Sequence, residues 1–292
     1  MGEEIILNGP EQHKMNKLGA NVDVRNFWIR HAQKMSGEVA SSDKTTISLS
    51  LISEKGVIMS KNYGETITPK KHGAKSYVSK SDRTKQTAEN ILIGYQKNNP
   101  GVPIRPIKIN EKLLFDMPKD FLRLYLQKFE EQRKIVLSEM FPDGTEFSKL
   151  SPDDQEKVAE AAEEPIIREW LDNDNCELQK LYPTIEAAKQ FAKLFNKRHE
   201  FFAKKLYSGS EVDLFHLTHK SMTEPFLVSG VLIKKSNGER ITKLNQIGGS
   251  LSTLGDWQSE VTTDSIGKPQ VVVRLRGEEY DVDSAVLENL LK

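Results

Sequence analysis

Apolar and polar positions change their period several times along the 292-residue chain. The run "RNFWIR", residues 25–30, is short and rich in strand-favouring apolar side chains, and it stops abruptly at Arg30-His31. This pattern predicts a buried strand with a charge and an imidazole at its tip. Residues 48–67 follow with Leu49, Ile52, Val57 and Tyr63 at spacings that suit an amphipathic helix. "AKSYVSKS" reads as a second strand, and "SDRTKQTAENILIGYQ" as a helix capped by Ser81 or Asp82. "VPIRPIKIN" is extended, because two prolines exclude a helix. Strand, helix, strand, helix, strand predicts an α/β fold with a parallel sheet.

The texture changes over residues 112–208, which form three charged amphipathic helical stretches. The second begins "SPDDQEKV", with Ser151 as N-cap and Pro152 at the first helical position. The first two stretches read as an insertion over about 112–183, and the third as rejoining the main body. "EVDLFHLTH" is then a strand, "SMTEPFLVSGVLIKK" a helix, "SNGER" a turn, and "ITKLNQIGG" and "KPQVVVRLRGEEY" late strands. The expectation is a three-layer α/β/α sandwich with a mostly parallel central sheet over residues 25–292, a helical insertion, and a polar extension over 1–24.

Composition narrows the partners. Acidic and basic residues balance at 42 each, so bulk charge favours neither nucleic acid nor membrane. An anion site would have to be local. Cys176 is the only cysteine, which rules out an intrachain disulfide, and its acidic surroundings argue against a thiolate nucleophile. No secretory signal, lipidation motif or membrane-length apolar run stands out, so a cytoplasmic location is expected. "DNDNCELQK" lacks the glycine and glutamate spacing of a calcium loop. There is no P-loop and no dinucleotide fingerprint.

Four features stand at the carboxyl ends of strands or extended segments: Arg30-His31, Arg83 at the start of a helix, Glu111 in "INEKLLFD", and His219 in "FHLTHKSMTEPFL". Open α/β sheets bind ligands in the crevice beyond those ends. Helices starting near Arg83 and after His219 would also direct N–H groups there. Two arginines and two histidines in one crevice suit a doubly charged tetrahedral anion, phosphate above all. A lone Arg-His at a strand end is usually an element end meeting solvent. The joint pattern is harder to reach by accident. His216 competes with His219 but sits three residues earlier, within the strand. His13, His72 and His199 belong to no motif.

Here the sequence resembles the histidine phosphatase superfamily, which includes cofactor-dependent phosphoglycerate mutases. "RHAQK", Arg30 to Lys34, is similar to the family's opening Arg-His-Gly-Glu/Gln motif. "SKSDRTKQTAENI" resembles its second motif, Gly56 stands in the place of the glycine of the helix between them, and "LTHKSMTEPFL" resembles its late histidine motif. The resemblance covers roughly residues 25–111 and 184–276. Departures are Ala32 for glycine, Lys34 where Ser or Thr is common, Lys220 where a small residue is usual, and the missing glycine in "NEKLLFD".

The resemblance implies roles. His31 is the expected nucleophile, passing through a phosphohistidine, with Arg30, Arg83 and His219 on the phosphoryl oxygens and Gln33 supporting the phosphate or substrate. Glu111 is the expected general acid and base, with Asp116 or an acid of the insertion such as Glu163 or Glu164 as alternatives. No metal and no other cofactor are implied. The expected activity is hydrolysis of phosphate monoesters, on a small phosphorylated substrate or a phosphoprotein. A mutase-like phosphoryl transferase and a catalytically weak phosphate-binding member are the alternatives. Both monomer and dimer fit the exposed-helix composition.

Overall fold

The computed structural model describes residues 19–33, 51–114, 117–219 and 221–292. In chain order its elements are β1 (Asp23–Arg30), α1 (Glu54–Thr66), β2 (Ala74–Val78), α2 (Asp82–Lys97), β3 (Lys108–Ile109), α3 (Lys119–Met140), α4 (Pro152–Asp172), α5 (Glu177–Leu181), α6 (Thr184–Lys205), β4 (Glu211–Thr218), α7 (Glu224–Leu227), β5 (Leu232–Lys234), β6 (Asp256–Thr263), β7 (Pro269–Leu275), β8 (Glu278–Val282) and α8 (Ser284–Leu291). Short 3-10 turns cover Glu111–Leu113, Phe147–Lys149 and Leu244–Ile247.

The strands form one sheet in the order β3-β2-β4-β1-β6-β7-β8-β5. Strand alternation divides the core in two. Val24 and Trp28 of β1 join the larger cluster with Leu214 of β4, Phe191 and Phe195 of α6, and Trp170 of α4. Phe27 and Ile29 point the other way and pack with Phe215 and Leu217 of β4 and Ala88, Ile91 and Tyr95 of α2. Helices α1 and α2 therefore cover one face and α6 to α8 the other, with α3 to α5 extending the larger core. The α/β three-layer expectation matches this architecture. Ala20 and Val22, ahead of β1, are already buried.

The sheet is mixed, which corrects the mostly parallel expectation. β3, β2, β4 and β1 run parallel. From β1 outward, β6, β7, β8 and β5 alternate antiparallel. Within the antiparallel half β6, β7 and β8 follow one another through short turns such as the one at Arg276-Gly277, while β5 lies beyond β8 and reaches β6 through residues 235–255, so periodicity alone did not reveal it.

Three element expectations also change. The helix foreseen over 221–235 is a single turn, Glu224–Leu227. Gly230 adopts a positive φ of 83°, and Leu232, Ile233 and Lys234 beyond it pair with β8. The strand foreseen over 241–249 is the 3-10 turn Leu244–Ile247, closed by Gly248 in the left-handed conformation. The helix foreseen from residue 48 is described from Glu54, capped by Ser53 accepting from Gly56 N; Leu49 lies outside the described residues.

Helices α1 and α2 touch backbone to backbone. A Cβ at Gly64 would fall 2.0 Å from the Ile91 carbonyl oxygen, and one at Gly94 would fall 1.9 Å from that of Lys61. Only glycine permits this approach, and it seats α2 close behind the crevice.

Candidate active site

The crevice at the carboxyl ends of β1, β4 and β2 gathers Arg30, His31, Arg83 and His219. Register explains the meeting. β4 lies between β1 and β2, with Arg30 opposite Thr218 and Val78 opposite Leu217. The β1/β4 ladder runs one residue further, because His31 N donates to the Thr218 carbonyl at 3.0 Å. His31 and His219 thus leave neighbouring strands side by side, with ring centroids 5.2 Å apart and planes at 62°. Arg83 enters from the first turn of α2, and its Nη2 lies 3.2 Å from His219 Nδ1. Thr87 Oγ1 accepts from Ala32 N at 3.0 Å and donates to the Arg83 carbonyl at 2.7 Å, fastening the chain beyond β1 to α2.

The partners assign the protons. His31 Nδ1 lies 2.8 Å from the Ala32 carbonyl oxygen, which can only accept. Nδ1 therefore carries the hydrogen, and Nε2 of the neutral ring keeps its lone pair. Burial holds the His31 pKa well below the ordinary imidazole value, and Arg83, His219 and Arg30 push it the same way. Arginine can only donate, so His219 Nδ1 accepts from Arg83 and Nε2–H faces Ser79 Oγ at 2.9 Å. Burial, then Arg83 and Arg30, lowers His219 to about 3. Two neutral imidazoles beside two guanidinium groups leave the crevice cationic and suited to an anion.

Arg30 reaches toward the helical segment. Its Nη1 donates to Glu160 Oε1 at 2.9 Å and to the Leu251 carbonyl at 3.2 Å. Its buried Nε has no hydrogen-bond partner among the described residues. The segment over the crevice is otherwise polar. Tyr125 Oη donates to Glu163 Oε1 at 2.6 Å, and burial, followed by the Glu163 charge, drives this phenol well above its usual pKa. Ser221, close after His219, holds a left-handed φ of 66°, uncommon for a residue with a Cβ.

The remaining expected residues stand apart from this group. Gln33 is buried, but its Oε1 accepts from Ser53 Oγ at 2.7 Å and its Nε2 donates to Asp153 Oδ1 at 3.3 Å, which ties β1 to the starts of α1 and α4. Glu111 sits on an exposed 3-10 turn at the β3 edge of the sheet. That turn is anchored to the crevice only through Thr218 Oγ1, which donates to the Leu113 carbonyl at 3.1 Å. Glu164 accepts from Ser250 N and from Arg168, away from the histidines. Asp116, Lys34 and Lys220 lie outside the described residues.

Other expectations resolve plainly. His216 is core, stacked on Trp28 at 4.2 Å and bonded through Nε2 to Asn26. His199 bonds Ser259 and the Phe195 carbonyl, and His72 Nδ1 accepts from Glu211 N. Cys176 is buried at the start of α5, its sulfur accepting from Gln179 N. The helix expected to present its N-terminus after His219 is too short to do so. Ser79, Thr87 and Glu160 escaped the sequence reading. Ser79 and Thr87 sit inside the quoted motif "SKSDRTKQTAENI", whereas Glu160 is one of many glutamates in its helix.

Among the described residues, no group of three or more His, Cys, Asp or Glu side chains is arranged to hold a metal ion. None of their helices is long and apolar enough to cross a membrane. No protein-family model matches the chain, and no curated protein does either. Solved structures similar to it include a phytase from Hafnia alvei in its apo form, at 11% identity over 94% of this chain and 97% of that one, TM-score 0.48. A phosphoglycerate mutase from Bacillus anthracis is 14% identical over 94% and 99% of the two chains, TM-score 0.41. A phosphoserine phosphatase mutant from Entamoeba histolytica, in complex with phosphoserine, is 13% identical over 85% and 94%, TM-score 0.42. These are distant likenesses, and the chemistry open to this chain rests on the geometry of its own crevice.

Proposed function

We propose that the protein is a phosphomonoesterase of the histidine phosphatase superfamily, working through a phosphohistidine on His31. One observation carries the reading. His31 is neutral, its Nδ1–H is committed to the Ala32 carbonyl, and its Nε2 lone pair is left for a crevice flanked by Arg30, Arg83 and His219.

A phosphoryl dianion entering there meets two guanidinium groups, which bind it and disperse the charge that builds on its oxygens. His31 Nε2 attacks phosphorus, and the P–O bond to the leaving group breaks with its electron pair on that oxygen. The leaving oxygen takes a proton. Water then attacks phosphorus, the P–N bond breaks, the pair returns to Nε2, and the proton lost by water goes to the conjugate base of the same acid. We assign that acid to Glu111, which is exposed on the turn after β3 and is joined to the end of β4 through the Thr218–Leu113 hydrogen bond. The low pKa of His31 keeps Nε2 unprotonated even in mildly acidic solution, so nucleophilicity is not lost there.

A second reading is a phosphate-binding protein with weak turnover. It is favoured by one observation: among the described residues no carboxyl hydrogen-bonds either crevice histidine.

The test is release of phosphate from a generic aryl phosphate between pH 4 and 9 in EDTA, comparing the parent with His31→Ala. The reading expects turnover that survives chelation and vanishes in the variant, with acid-labile phosphate trapped on the parent. Absence of turnover by the parent at every pH, together with retained vanadate binding, would favour the binding protein instead.

A further inference from the structure

Arg30 is held from one side only. Both contacts of its guanidinium to described residues use Nη1: Glu160 Oε1 at 2.9 Å and the Leu251 carbonyl at 3.2 Å. The two N–H bonds of Nη1 are thereby accounted for. The opposite edge of the plane, Nε with Nη2, makes no hydrogen bond to the described residues, and Nε is buried without a partner among them. That edge is the one whose two parallel N–H bonds match a pair of phosphoryl oxygens. A buried donor left without a partner is unfavourable, and an arriving anion relieves it.

Glu160 can hold Arg30 in this pose because it is itself held. Its Oε1 also accepts from Thr253 N at 2.9 Å, and the Thr253 hydroxyl lies between Glu160 Oε1, at 3.1 Å, and the nearer Glu156 Oε1. The loop bearing Thr253 returns to β1, since Arg30 N donates to the Gly255 carbonyl at 3.1 Å. The helix under Glu160 is fixed in turn. Ser151 caps α4, and Asp153 meets Gln33 at 3.3 Å and Lys55 at 2.7 Å. A single carboxyl oxygen thus joins α4, the 250–255 loop and the end of β1.

We infer that Glu160 is a positioning residue of the phosphate site: from the helical segment it pins Nη1 of Arg30 so that the Nε–Nη2 edge faces the phosphoryl group. The inference deepens the proposed function and rests on it. It gives the helical segment a part in binding the phosphoryl group itself, apart from any choice of leaving group. The carboxylate also offsets Arg30's charge, which by itself would weaken anion binding. The two effects have opposite signs, and the inference is that orientation is the larger.

The experiment measures vanadate and inorganic phosphate affinity, with KM and kcat for an aryl phosphate, in the parent, Glu160→Ala, Glu160→Gln, Arg30→Ala and the Arg30→Ala/Glu160→Ala double variant. Misplacing one binding group by about an ångström costs up to roughly a hundredfold, so Glu160→Ala is expected to weaken vanadate by about tenfold or more and to raise KM more than it lowers kcat. Glu160→Gln keeps an acceptor oxygen and is expected to recover most of the affinity. In the Arg30→Ala background the second substitution should add nothing. If Glu160→Ala does not fold, Glu160→Asp takes its place, because it keeps the charge, draws it back by one methylene and should show the same loss. Unchanged or tighter vanadate binding by the alanine or aspartate variant overturns the inference, as does an additive loss in the double variant. Failure of the parent to bind vanadate overturns the phosphate site as a whole, and this inference with it.

Discussion

Arg83 Nη2 donates to His219 Nδ1 across 3.2 Å, joining the first turn of α2 to the end of β4. Burial does most to keep the imidazole neutral, and the permanent cation on its acceptor nitrogen acts in the same direction. Both groups then stand ready beside His31, the guanidinium charged and the ring able to gain charge once an anion binds.

Replacing Arg83 by alanine should therefore do two things. Turnover should fall by about 10²–10³, the usual effect of losing one preorganised donor to a developing anion. The His219 pKa should rise from about 3 toward the ordinary imidazole value. Steady-state kinetics and an NMR titration of the His219 ring read these separately. A loss of rate with no change in the titration would mean that Arg83 does not tune His219.

Glu111→Gln separates the expected acid from its alternatives. If Glu111 protonates the leaving oxygen, alkyl phosphates should slow by roughly 10²–10⁴. A nitrophenyl phosphate, whose leaving group needs little help, should slow far less. Equal rates for parent and variant on both substrates would move the assignment to another carboxyl, with Glu163→Gln the next variant to make.

Acid should destabilise the fold in a defined window. His31, His199 and His216 are buried and His219 is partly buried, and the pKa values of all four are held below the ordinary 6.5, chiefly by burial. The unfolded chain thus binds more protons than the folded one once the pH drops below about 6.5, and stability falls with falling pH. Each histidine contributes at most about 1.4 kcal/mol per pH unit. The loss from each levels off below its folded pKa, about 4 for His199 and about 3 for His219. Urea unfolding between pH 7.5 and 4.5 measures the slope, and a flat profile across that range would contradict the buried neutral rings.

Gly64→Ala probes the scaffold behind the crevice. The new methyl group meets the Ile91 carbonyl at 2.0 Å, so α1 and α2 must separate. Overpacking of this kind typically costs about 1–3 kcal/mol. Chemical denaturation should show a loss of that size, while the conformationally similar change at exposed Gly101, where an added Cβ meets nothing, should be nearly silent.

Much of the crevice was legible because strand ends are legible. Arg30, His31, Arg83 and His219 each follow a short apolar run, and a parallel sheet places such ends together. Gln33 was less readable: its amide bonds Ser53 and Asp153, contacts that depend on where α1 and α4 begin. Glu160 had no local signal, since its role comes from the crossing of α4 with the 250–255 loop. The antiparallel half of the sheet was missed for a similar reason. Three of its strands, β6 to β8, are joined by short turns, and β5 continued an apolar run that periodicity alone assigns to the preceding helix.

The position of β4 has a consequence for how the protein is made. β1 has two neighbours in the sheet, β4 and β6, and both are encoded after residue 205. A growing chain that has emerged only as far as α6 therefore holds His31 and Arg83 on segments with no strand between them. The crevice closes when residues 211–219 slot into the gap. Synthesis from the N-terminus thus leaves His31 without its crevice until about three-quarters of the polypeptide exists, and a C-terminally truncated product inherits the arginines without the pocket.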